Sequence, residues 1–364
     1  MSEITYKKRM FAFLDILGFE RIVDKSRNNP ELIEKLANIL KRSKQIALAS
    51  LGAKLTILQV DPSQYLHRAF SDTSVISGPY VSHDDLSFLS MWVMHYQYFM
   101  WKEEQSFLRG AVVYGDIYYD EDVIFGPALV DAYHLERDQT QVMWPRVLID
   151  ESLLSKVTEA ELRRDFFEML RRDDNNLVYL DYLRDLFHII VLGENKKLTG
   201  ERKQDFGVPI KLFEDHKEAI LAQVDNALKE EDKDEGKKIV RKYLELSKYH
   251  NATIDMLCQA IEDLSKHERI IREFFDDLLR SASAKNLGLR YTPRYSAEDH
   301  PEQADMLNIL GTVINRIIEI HQDEDSSPEE AINTFCVEAP KELAKLEQSL
   351  NESRIDLDSL IANL

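Results

Sequence analysis

The chain has 364 residues, a formal net charge of −19, 44% apolar residues and 30% charged residues. That length supports one large domain or two medium ones with a sizeable core, and the composition excludes a disordered or low-complexity protein. The acidity argues against nucleic acid or an anionic membrane as partner, since both require a cationic face, although a local anion site stays open. Cys258 and Cys336 are the only cysteines, too few for a disulfide framework or a cysteine zinc cluster. Residues 1–10 lack the apolar core of a signal peptide, and Leu86–Trp101 falls short of the roughly 20 apolar residues of a membrane span. A cytoplasmic protein is therefore expected.

In chain order, KRMFAFLD (8–15) is a short aromatic-rich apolar run expected to form a buried strand. Gly18 breaks it, and Pro30 opens an amphipathic helix with Leu32, Ile33, Leu36, Ile39 and Leu40 at helical spacing. Residues 55–60 and 65–76 turn strand-like. Ser82 and Asp85 form a capping-box signature before an apolar helix, Leu86–Trp101. Its aromatic residues Trp92 and Trp101 have core or interface spacing, with a base-stacking surface as the less favoured use. FLRGAVVYGDIYYD and EDVIFG read as a second strand pair, a helix begins near Pro127, and WPRVLID reads as one more strand. The order β-α-β-β-α-β-β-α-β predicts an α+β fold: a ferredoxin-like βαββαβ unit with an added hairpin, its mainly antiparallel sheet carrying helices on one face.

Beyond residue 150 the pattern changes to almost wholly helical period, including ELRRDFFEMLRR, LVYLDYLRDLFHIIVL and the long run from Gly236. Charge changes with it. Residues 1–150 hold 16 basic and 20 acidic side chains, the remainder 30 and 45. The expected organisation is a mixed α/β domain over 1–150 and a helical extension over 151–280. A surface loop is expected over 195–207, a linker over 281–303, and C-terminal helices over 304–364.

Two carboxylates stand out. Asp15 ends the first strand and Asp72 lies in the turn of the next hairpin, and the predicted topology makes these points neighbours. Two such groups repel and raise each other's pKa, and a divalent cation between hard oxygen ligands relieves this, favouring Mg²⁺ or Mn²⁺. Taken singly, each aspartate also suits a turn or helix cap. His83–Asp84 is better read as a helix start than as a metal dyad. His250–Asn251 is better read as a structural pairing, and the GKK at Gly236 as a solvated helix start than as a phosphate loop.

FLDILGF (Phe13–Phe19), FSDTS (Phe70–Ser74), LRGAVVYG (Leu108–Gly115) and FGPALVDAYHLE (Phe125–Glu136) resemble the class III nucleotidyl cyclase catalytic domain, over roughly residues 8–150. The likeness is strongest to the divergent bacterial branch that includes the pyrimidine cyclases of the Pycsar anti-phage system. KYLELSKYHN (Lys242–Asn251) is similar to a helical extension of related sequences. The resemblance implies that Asp15, Asp72 and the backbone of Ile16 hold two divalent cations. These bind a nucleoside triphosphate and promote attack of its ribose 3′-hydroxyl on the α-phosphorus, releasing pyrophosphate. The loop Leu17–Phe19 is then expected to face the phosphates, with Phe19 in nucleotide binding. Arg68, four residues before the second aspartate, is implied in base selection and favours a pyrimidine, with a solvent-facing strand residue as the alternative.

The family's helical Asn and Arg correspond, on Gly126, to Val130 and His134, which do not reproduce that chemistry. Tyr133, Arg137, Arg146 and Arg109 are the candidate replacements, and a protonated His134 supplies a charge. The implied partners are a nucleoside triphosphate, a second copy of the chain sharing the sites, and a separate effector protein that reads the cyclic product. A cyclic pyrimidine monophosphate is expected, cUMP first and cCMP next. A catalytically inactive nucleotide-sensing or assembly module and a purine cyclase are the alternatives.

Overall fold

The computed structural model describes residues 5–54, 61–120, 123–138, 144–156, 169–191, 207–230, 232–266 and 328–362. The strand-like reading of 55–60, the loop at 195–206, the linker at 281–303 and the helix expected at 304–322 lie outside them.

The first apolar run forms β1 (Lys7–Ile16), with Met10, Phe11, Ala12 and Leu14 fully buried. A strand buried along its whole middle needs neighbours on both sides and cover on both faces. The hairpin β2 (Leu66–Phe70) and β3 (Thr73–Gly78) supplies one neighbour, and β4 (Leu108–Tyr119) supplies the other. Both pair antiparallel with β1, so Asp15 lies across from Thr73 on one side and Arg109 on the other. Gly110 makes the second pairing possible, because a methyl group there would stand 2.0 Å from the Phe13 carbonyl oxygen.

Helices fill the connections. Gly18, with φ +77°, turns the chain from β1 into α1 (Phe19–Ser26), followed by α2 (Pro30–Lys54). In α3 (His83–Glu104) the Asp85 carboxylate takes the amides of Val81 and Ser82 and the hydroxyl of Tyr65, which fixes the helix start. The aromatic stripe of α3 is core: Trp92, Tyr96 and Trp101 are about 1% exposed, and α3 packs on α2, β3 and β4. A short β5 (Ile124–Phe125) pairs with β4, and α4 (Pro127–Asp138) packs on β4 and β1. β6 (Val147–Ile149) then joins β4 in parallel, and α5 (Glu151–Leu154) is capped by Asp150.

The region after 150 departs from the all-helical expectation. Part of ELRRDFFEMLRR is the strand β7 (Leu170–Arg172), and LVYL contains β8 (Val178–Leu180). They form a hairpin closed at Asp173, whose carboxylate takes the Asn175 and Leu177 amides. β8 pairs with β6, giving a mixed sheet in the order β2-β3-β1-β4-β6-β8-β7. Only the β4–β6 pairing is parallel, so the expected mainly antiparallel sheet is present in this coarser sense.

The other elements are helical as expected: α6 (Tyr182–Val191), α7 (Gly207–Leu228), α8 (Lys233–Lys266), α9 (Pro328–Glu352) and α10 (Leu357–Ala362). Helix α8 runs unbroken to Lys266. By contacts the chain forms two units. One comprises residues 1–182, 219–246 and 358–364, and the other 183–218 and 247–357.

The second unit has its own core of Phe187, Phe213, Leu257, Leu346 and Leu350. Inside it His216 and His250 stack, Nδ1 to Nδ1 at 3.0 Å, and His250 Nε2 lies 2.9 Å from the Ser353 carbonyl. That carbonyl can only accept, so in the neutral pair His250 carries its proton on Nε2 and His216 donates from Nδ1. Asn251 holds both the amide and the carbonyl of Ile355. The expected structural pairing at His250–Asn251 therefore takes the form of a ring stack and a backbone clip.

Candidate functional site

The end of β1 opens into a cavity of about 400 Å³ within the first unit, a volume in the range of small-ligand sites. Asp15, Ile16 and the turn Leu17–Phe19 form one wall, and Asp72 and Thr73 from the β2–β3 turn form the next. The two walls are joined by the Ile16 amide, which donates to the Asp72 carbonyl at 3.2 Å. The aspartates expected to converge are thus brought together at one opening.

Arg109 from β4 stands beside them. Its guanidinium reaches Asp15 at 2.8–2.9 Å and Glu136 of α4 at 3.0 Å. Burial pushes the Asp15 carboxyl up to about 7, the Arg109 charge opposes this, and Asp72 raises it further. The mutual effect of the two aspartates has the expected sign, but desolvation outweighs it.

Tyr133 and Phe13 meet edge to face, centroids 6.0 Å apart, and add an aromatic side to the cavity. The remaining wall is α8, through Glu235, Ile239, Lys242 and Tyr243, with Tyr243 packed on Phe107. Five carboxylates and three cationic side chains line the space, an excess of negative charge that suits cations. Among the described residues no group of three or more His, Cys, Asp and Glu side chains forms a ready metal cluster.

Of the residues expected from the sequence, Asp15, Ile16, Phe19, Asp72, Arg109 and Tyr133 line this cavity, and Arg68, His134 and Arg146 do not. Arg68 lies exposed on β2 and donates to the Asp120 carbonyl at 3.3 Å. Val130 and His134 are on the exposed side of α4. Arg146 is buried, bonded to Asp173 at 2.6 Å and stacked against Trp144 and Tyr179, so it ties β6 to the β7–β8 turn. Arg137 bonds the Tyr133 hydroxyl from outside. Gly110 admits the Phe13 backbone.

Glu136 and Lys242 are the residues that sequence reasoning missed. Each had a signal, a charged side chain at a position that helical period assigns to a buried face: Glu136 four residues after Ala132, and Lys242 among Ile239, Val240 and Tyr243. Comparison with protein-family models and with curated proteins yields no match to the chain. No helix of the described residues is long and apolar enough to cross a membrane.

Proposed function

We propose that the cavity binds a nucleoside triphosphate with two divalent cations, Mn²⁺ or Mg²⁺, and cyclises it in the manner of class III nucleotidyl cyclases, to a 3′,5′-cyclic pyrimidine monophosphate and pyrophosphate. The observation that carries this is the pairing of Asp15 and Asp72 at one opening, on strands in the order β2-β3-β1-β4 joined by α2 and α3. That order supports a split βαβ reading of this half of the sheet. The donor set fits hard cations: two carboxylates from adjacent strand ends, one of them with its pKa raised by burial despite Arg109. Asp15, Asp72 and the main chain of Ile16 would hold them. Bound there, such cations acidify the attacking hydroxyl and offset charge on the phosphate oxygens.

The chain's own residues supply position and exclusion of water. Arg109, braced by Glu136, fixes the direction of the Asp15 carboxylate. Phe13 and Tyr133 offer an apolar face beside it, and the turn into α1 brings main-chain amides to the rim. UTP is the first choice of substrate and CTP the second. The pyrimidine preference, a role in anti-phage signalling and a separate effector protein rest on the sequence resemblance. A homodimer with shared sites is supported by the exposed Val130 and Tyr133 of α4.

Incubation with each of the four NTPs and Mn²⁺ tests the reading. Cyclic product and pyrophosphate are expected, and Asp15→Ala or Asp72→Ala lowers the rate by more than about 100-fold, beyond the loss typical of outer ligands. Absence of product from all four NTPs defeats it. One observation favours the inactive-module alternative: Val130 and His134 do not line the cavity, and Arg109 is already engaged by two carboxylates. Metal-dependent nucleotide binding without turnover identifies that case, and competition among UTP, CTP, ATP and GTP identifies a purine cyclase.

A further inference from the structure

We infer that Lys242 of α8, outside the cyclase-like region, is the cation that meets the polyphosphate of a nucleotide bound in this cavity. The inference rests on the reading above for the identity of the ligand. The three cationic side chains of the cavity are not equivalent. Arg109 is held by Asp15 and Glu136, and Arg21 donates to Glu230 at 2.7 Å. Lys242 makes no hydrogen bond or ion pair among the described residues, although it is only half exposed and lines the same space as Asp15 and Asp72.

A half-buried ammonium without a partner is costly, and a fold tolerates it where something else supplies the counter-charge. Burial holds its pKa below the ordinary lysine value, and Arg109 and Arg21 push it the same way, against Glu235 and Glu136. An anion entering between Arg109 and Lys242 offsets the repulsion between their charges. A polyphosphate suits this lining, which sets the Asp15 and Asp72 carboxylates, able to hold its cations, and the Lys242 ammonium around one cavity. Lys242 also answers the gap left by Val130 and His134: the missing positive charge comes from a helix late in the chain.

Equilibrium binding of UTP, inorganic tripolyphosphate and uridine, each with Mn²⁺, tests this on the full chain. Lys242→Met keeps the length of the stem and removes the charge, and its melting temperature is expected at or above that of the parent. It is expected to weaken UTP and tripolyphosphate alike by about 10-fold or more, the scale of a lost charged hydrogen bond, and to leave uridine and Mn²⁺ alone unchanged. Lys242→Arg is expected to bind both phosphates like the parent. Undiminished UTP and tripolyphosphate binding in a folded Lys242→Met protein overturns the inference, even if cyclic product forms. Lys242-dependent polyphosphate binding without cyclic product sustains it and defeats the cyclase reading. A parent protein that binds neither phosphate defeats both.

Discussion

Arg109 shows how one side chain organises the cavity and why part of it was readable in advance. Strand pairing alone puts Arg109 opposite Asp15, so the motif order located both residues, as it located Asp72. Position along a helix is less forgiving. Val130 and His134 each lie two residues past a buried alanine, Ala128 and Ala132, and two residues turn a helix by about 200°. Matching by distance from Gly126 therefore pointed at the solvent side, whereas Glu136, one turn past Ala132, faces the cavity. Arg146 differs for another reason, because its partner Asp173 lies in the turn of a hairpin whose two strands carry a helical spacing in the sequence. Burial opposes the ionised form of Asp173, yet the hydrogen bonds from Arg146 and from Leu177 hold its carboxyl below the ordinary value. Arg146→Met is expected to destabilise the fold by about 3 kcal/mol, the scale of a broken buried pair, as read by denaturant unfolding. It should leave UTP binding with Mn²⁺ unchanged. A folded Arg146→Met protein that has lost UTP binding would return Arg146 to the site.

At the scale of elements, long segments with one dominant period were legible and short ones were not. β1, α2, α3 and α4 appear where their patterns put them. β7 and β8 have three residues each, too few for a period of two to stand out against flanking helical spacing. The turn between them did leave a mark, Asp173–Asp174–Asn175–Asn176, with Asn176 at φ +66°. Helix α8 was legible as a helix but not as a wall of the cavity, since periodicity reports which face is buried and not against what. The stacked histidines of α7 and α8 give this scale its own prediction. Burial holds His216 well below the ordinary value, helped by the neighbouring ring. It lowers His250 to about 4, while the Ser353 carbonyl pulls the other way. Between pH 6.5 and 4 the unfolded chain binds more protons than the folded one, so stability is full above 6.5 and falls through this window. The loss expected from His250 alone is about 3 kcal/mol. Amide exchange across residues 247–261 against pH measures it, and protection that stays level down to pH 4 contradicts the buried neutral pair.

For the whole molecule, the net charge of −19 and the cavity share a sign. An acidic protein with an acidic cavity repels free nucleotides at long range, so cations must accompany any triphosphate that enters. The proposed association of two copies belongs to this scale too. Val130→Asp puts a charge on an exposed apolar residue of α4, and it is expected to shift the dimer–monomer equilibrium by about 10-fold or more toward monomer. Sedimentation reads this directly, and an unchanged distribution moves the interface off α4. The sheet itself limits the alternatives. Among the described residues its outermost strands are β2 and β7. β7 is only three residues long and carries Arg171 and Arg172, and β2 carries the exposed Arg68. Short, cationic borders of this kind discourage main-chain pairing with a neighbour. Arg68 thereby gains a use that needs no nucleotide: a charge on an outer strand of the described sheet. Two copies of this chain are accordingly expected to meet through side-chain surfaces, never by extending one sheet into the next.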